Sequence, residues 1–206
     1  MALTLAARRP APPLGLILGG WFIAAFAVGA AGVLGRLPVP PPAIAGMLTA
    51  STLAVLALSD GLRRAVLDRG PVPLVALHLV RFVGIYFLVL YGRGELPRDF
   101  AQQAGWGDIV VAVGAVLLLL FALPARTRGR RGALLVWNVV GLADILFVIG
   151  SAMRLPPAER GAVMPFFHLP LSLLPTFFVP LIIVSHLLIF LWLREETGGR
   201  MDDARG

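Results

Sequence analysis

The chain has 206 residues, of which 58% are Ala, Val, Ile, Leu, Met, Phe, Trp, Tyr or Cys and only 14% are charged, against about 25% charged in an ordinary soluble domain. Its mean hydropathy is +0.88. That composition excludes a water-soluble globule, because a chain of this length cannot enclose so much apolar surface, whereas a bilayer serves as the apolar solvent itself. The absence of cysteine rules out disulfides, thiolate metal ligands, iron–sulfur clusters and cysteine nucleophiles. All 18 basic residues are arginine, which removes Schiff-base and P-loop lysine chemistry and reads as the coding bias of a GC-rich genome.

Apolar runs near 20 residues mark six predicted spans, at 13–35, 40–59, 72–91, 107–123, 133–153 and 171–193. The first follows Arg8 and Arg9 and outruns the apolar core of a signal peptide, so it is expected to stay as an anchor. Within it, Gly15 and Gly19, then Ala25 and Gly29, recur at a spacing of four. Such spacing lets another helix approach, from this chain or from a homo-oligomer. The second run carries Thr49, Ser51 and Thr52, which can back-bond to their own helix. The fourth has only 17 clean positions and can borrow a turn from residues 101–106. Pro175 and Pro180 in the sixth each free a backbone carbonyl and predict a distortion there. Residues 195–206 form a polar tail. The fold class is therefore all-α, a six-helix polytopic bundle in one membrane domain.

Arginine placement sets the orientation. Twelve arginines fall in the N-terminus, the 60–71 and 124–132 loops and the C-terminus; five fall on the other side, and Arg81 lies inside a span. The positive-inside rule then puts both termini in the cytoplasm, and the expected location is a bacterial inner membrane. The formal net charge of +7 is explained by these loops, which hold the protein against anionic lipid, and calls for no nucleic-acid partner. The two longer outward connections, 92–107 and 154–170, place Phe100, Trp106, Phe166 and Phe167 where an interfacial aromatic belt would anchor them.

Ionisable groups within hydrocarbon cost at least about 2.5–3.5 kcal/mol each on insertion scales, so each requires a partner or a role. Measured along each helix from the cytoplasmic end at about 1.5 Å per residue, His78 lies roughly 9 Å deep, Arg81 13 Å, Asp144 16 Å, His186 12 Å and Asn138 8 Å. With Thr49, Ser51 and Thr52 of the second span roughly 10–15 Å from the same face, four helices thus contribute polar groups to one slab. Arg81 and Asp144 are expected to pair, with His78 and His186 lining a site for a small solute, an ion or a proton and Asn138 contributing beside them. Two histidines at matching depth also admit a membrane redox protein carrying non-covalent haem b on His78 and His186. A third possibility is a non-catalytic assembly or partner subunit that retains the pair as glue. No HExxH motif or close histidine pair offers a metal site. Ser185 and His186 are adjacent, which points them about 100° apart on a helix and argues against serine catalysis.

Gly105-Trp106-Gly107-Asp108 matches G-x-G-D, and over these four residues the chain resembles the intramembrane aspartyl proteases, including the presenilin-like and prepilin peptidase families. The resemblance implies two membrane carboxylates that share a proton and activate water. The predicted spans oppose this: Asp108 opens the fourth span at the outer surface while Asp144 lies about 14 Å below the outer end of the fifth, so the two are not expected to meet. Asp108 reads instead as a helix cap, offsetting unpaired N–H groups and the positive dipole end.

Overall fold

A computed structural model describes residues 13–154 and 164–203. It contains α1 (Leu14–Ala30), α2 (Pro41–Leu58), α3 (Asp60–Leu67), α4 (Pro71–Ala76), α5 (Val83–Gly92), α6 (Arg98–Leu117), α7 (Arg128–Met153) and α8 (Val179–Asp203), with no strand among the described residues. A 3-10 segment, Leu77–Phe82, joins α4 to α5, and π-helical turns, Leu118–Ala122 and Leu174–Phe178, end α6 and lead into α8.

The starts of these helices follow local chemistry. Pro41 and Pro71 occupy first-turn positions, where a missing N–H costs nothing. Ser59 accepts from Leu62 N at 3.4 Å and Thr127 from Arg130 N at 3.3 Å, capping α3 and α7. At the same end of the bundle Arg131 pairs with the Glu196 carboxylate, clipping α7 to α8.

Among the described residues five helices are long and apolar enough to cross a membrane: Pro41–Leu58, Pro71–Gly92, Arg98–Ala122, Arg128–Met153 and Leu174–Glu196. The protein is therefore a multi-pass membrane protein in contact with lipid. The α1 helix is also apolar but has 17 residues, roughly 26 Å, which falls short of the ~30 Å hydrocarbon core. In the last of the five, 56% of the apolar window is buried, against 22–39% in the others, so this helix is the axis of the bundle. Two apolar clusters flank the middle of the molecule. One gathers Val75, Val111, Leu134 and Ile189 near the arginine-rich loops, and the other gathers Phe87, Leu90, Phe100 and Leu174 near the opposite end.

The α1 helix sits at the edge and buries only Ala25 and Gly29. Gly29 packs against Leu169 and Ser172, whereas Gly15 and Gly19 face open space, so the two small-residue pairs have different surroundings. Trp21 fixes α1 more specifically. Pro180 has no N–H to return to the Thr176 carbonyl four residues earlier, and Trp21 Nε1 donates to that oxygen at 2.9 Å. The distortion expected from the prolines thus takes the form of a π turn with an outside donor.

Several boundaries differ from the sequence reading. The fourth span starts at Arg98 rather than 107 and is helical through Ala122, because Pro97 rather than Asp108 holds the cap position. The last helix runs through the expected polar tail to Asp203. Phe100 and Phe166 are buried rather than interfacial: their rings lie 5.6 Å apart, each packing on Phe87, while Trp106 stays exposed. Arg8, Arg9 and Arg160 lie outside the described residues.

Candidate functional site

The Pro71–Gly92 rod buries every third residue from Val75 through His78, Arg81, Gly84 and Phe87 to Leu90. A 3-10 helix has 3.0 residues per turn, so residues three apart eclipse one another. The segment Leu77–Phe82 therefore stacks His78 directly beneath Arg81 on one line facing α6, α7 and α8. Both side chains are essentially inaccessible, at 0% and 1%.

Arg81 is the hub. Its Nε donates to Asp108 Oδ1 at 2.6 Å, its Nη1 to the Gly141 carbonyl at 3.0 Å, and its Nη2 to Asp144 Oδ2. The expectation that Asp108 and Asp144 stay apart is thus overturned. With α6 beginning at Arg98, Asp108 lies ten residues along the helix, about 15 Å deep, at the level of Asp144. It is not a cap, and it and Asp144 meet on one guanidinium. The glycines before it now have a packing explanation. A Cβ on Gly105 would press against Leu88 and the Gly84 backbone, and one on Gly107 would collide with the Asp144 carboxylate. These residues are glycine because helices approach closely there. A guanidinium held between both carboxylates is also a different arrangement from two acids sharing a proton around a water.

Next to the arginine lies a second layer. His78 Nε2 is 2.9 Å from Ser185 Oγ, and the Ser185 hydroxyl donates to the Ile182 carbonyl at 2.8 Å. One hydroxyl carries one proton, so His78 is the donor in the first bond. Asn138 Nδ2 donates to the His186 carbonyl at 3.0 Å, which leaves its Oδ1 to accept from His186 Nδ1 at 2.8 Å. The two imidazoles touch, with centroids 4.3 Å apart, and Trp137 closes over both at 4.8 and 5.6 Å while donating from Nε1 to the Val111 carbonyl at 3.0 Å. The other ring nitrogens, His78 Nδ1 and His186 Nε2, are buried with no hydrogen-bond partner.

The structure thus brings together all five residues singled out from sequence: His78, Arg81, Asn138, Asp144 and His186. It adds Asp108, Trp137 and Ser185. Thr49, Ser51 and Thr52 stay apart, each donating to its own helix four residues back. His168 is exposed at the end of the bundle. Among the described residues no group of three His, Asp or Glu side chains is arranged to hold a metal ion. Placing a porphyrin between His78 and His186 would require these touching rings to separate by several ångströms.

A cavity of about 440 Å³ reaches from this centre to the end of the bundle near residues 37–42. Arg81 and Asp108 are the charged groups on its wall. The rest is apolar and includes Phe87, Phe100, Phe166 and Phe167. Exposed Leu37 and Met153 stand at its mouth. His78 and His186 do not line it; they belong to the packed layer next to Arg81.

A family model described as a domain of unknown function (DUF8737) matches residues 39–194. The chain belongs to this family. The DUF8737 region takes in four of the five long helices and all but the last two residues of the fifth, every residue of the polar centre and most of the cavity wall, and leaves α1 outside. No curated protein and no solved structure matches the chain.

Proposed function

We propose that the protein handles a small solute, ion or proton where Arg81 and Asp108 meet the cavity, backed by Asp144 and by the packed layer of His78, Asn138 and His186, in the manner of a transporter. One observation carries the reading: a cavity of drug-like volume runs from one end of the bundle to Arg81 and Asp108 and stops there. Pockets of this size lined by apolar groups and a few convergent polar ones are the usual form of a ligand site. The packed His78–His186–Trp137 layer next to Arg81 fits a barrier separating that cavity from the arginine-rich end. In this reading α1 completes six spans, both termini are cytoplasmic in accord with the arginine distribution, and the cavity opens to the cell exterior.

The chain carries no cysteine, so single introduced thiols report without background. Ala152→Cys and Val80→Cys place thiols on the cavity wall, and Ala112→Cys places one in the fully buried core. A membrane-impermeant thiol reagent applied outside whole cells should modify the first two and spare the third. If neither cavity thiol reacts from either side of inverted and right-side-out vesicles, the cavity is closed to solute and the charged centre is structural glue.

A further inference from the structure

Resting on the solute-site reading above, we infer that the cavity selects a monovalent amphipathic organic cation, an ammonium group attached to an apolar or aromatic body. The charge balance of the floor argues for this. One guanidinium meets two carboxylates, so the ionised cluster lacks one positive charge. An uncompensated charge in hydrocarbon is costly, and a cationic ligand supplies the missing partner. An anion would add to the imbalance.

Hydrogen bonding points the same way. Arg81 gives one N–H from each of its three nitrogens to Asp108, Gly141 and Asp144, which commits three of its five donors. Among the described residues, Asp108 accepts only from Arg81, through Oδ1, so Oδ2 has no protein donor. Asp108 lines the cavity, whereas Asp144 does not. A carboxylate oxygen with spare acceptor capacity therefore borders the space.

The walls fit the remainder of such a ligand. Phe87, Phe100 and Phe166 form a mutual cluster with centroids 5.6–6.3 Å apart, and all three border the cavity together with Phe167. Aromatic faces attract quaternary and protonated amines through the ring quadrupole, and their edges accept an aliphatic or aryl body without cost. A bare metal ion would find only one unengaged carboxylate oxygen here and four phenylalanines, which is a poor oxygen shell.

The test uses three probes that share a phenylalkyl body and differ in head group: 4-phenylbutyltrimethylammonium, 4-phenylbutanol and 4-phenylbutyrate. Each is titrated calorimetrically into the full-length protein in dodecyl maltoside. The cation should bind at least tenfold more tightly than the alcohol, with the carboxylate weakest. Asp108→Asn keeps the shape and removes the charge, and should erase the preference; Asp99→Asn, exposed and away from the cavity, should not. Ala152→Trp fills the cavity and should abolish binding of every probe. If the three probes bind equally and Ala152→Trp removes them all, the solute site stands and the cation selectivity is wrong. Tightest binding by the carboxylate overturns the selectivity in the same way. If no probe binds while the cavity thiols described above do react, the cation inference fails on its own. If Asp108→Asn does not fold, Phe166→Leu decides: severalfold weaker binding of the cation, with the alcohol unchanged, supports the inference, and an equal loss for both overturns it.

Discussion

Replacing Arg81 with methionine removes the guanidinium and leaves most of the side-chain volume. Asp108 and Asp144 then face each other in the bundle with no positive partner, and their side chains are only 9% and 18% exposed. Breaking a buried pair by deleting one member costs about 3–5 kcal/mol. The partial exposure of Asp144 favours the lower end, so about 3 kcal/mol is expected, on the order of a hundredfold in the folding equilibrium. Reversible unfolding in maltoside micelles titrated with dodecyl sulfate, followed by far-ultraviolet circular dichroism, measures this directly. The companion experiment replaces the whole triad, Arg81→Met with Asp108→Leu and Asp144→Leu. Apolar replacement of a complete buried ion network is often neutral or stabilising, so the triple variant should recover most of the lost stability while losing the 4-phenylbutyltrimethylammonium binding of the wild type. An Arg81→Met protein within about 1 kcal/mol of wild type, or a triple variant no more stable than the single one, would falsify the account of Arg81 as the shared partner that holds both buried carboxylates.

Three further outcomes follow from neighbouring contacts. Gly141→Ala puts a methyl 2.7 Å from His186 Cε1 and 3.1 Å from Val111 Cγ1, an overpacking expected to cost about 1–3 kcal/mol in the same dodecyl sulfate titration; an unchanged midpoint would mean that the ring is free to move. Asn138→Ala strips His186 Nδ1 of its acceptor within a fully buried site, so a loss of about 1–3 kcal/mol should appear as a lowered thermal midpoint. Trp137→Phe keeps the ring over the histidines but gives up the bond to the Val111 carbonyl, and should cost about 1 kcal/mol, checked by the same melting curve.

The long apolar runs were readable because hydrocarbon imposes length and composition with little dependence on neighbours, and the depth ruler placed His78, Arg81, Asp144 and His186 at one level for the same reason. Asp108 was misplaced by its surroundings in sequence. Arg98, Asp99, Gln102 and Gln103 look like a loop when hydropathy is averaged, although they belong to the first two turns of α6. The corrective signal was periodicity. Phe100, Ala104, Asp108 and Ala112 recur every four residues and are all buried, so the helical stripe passes through Asp108 without a break. Adjacency to His186 says nothing about Ser185, because neighbours on a helix point apart; its partner is His78, 107 residues away, and no local pattern encodes that pairing. The 3-10 segment is equally hidden, since within it only the three-residue step from His78 to Arg81 is buried. Phe100 and Phe166 carry the composition of a membrane-surface belt, and only tertiary contact turns them inward.

The bond from Trp21 to the Thr176 carbonyl ties a helix outside the DUF8737 region to a turn that contributes Leu174 and Pro175 to the cavity wall. A version of this domain lacking the peripheral helix would have to find another donor for that oxygen, or carry at position 180 a residue with its own N–H. The pairing of Trp21 with Pro180 is thus a two-position rule, open to inspection in any related sequence: where Trp21 is lost, the Thr176 carbonyl needs a new donor, and where Pro180 is lost, Trp21 keeps only its edge-to-face packing on Phe177.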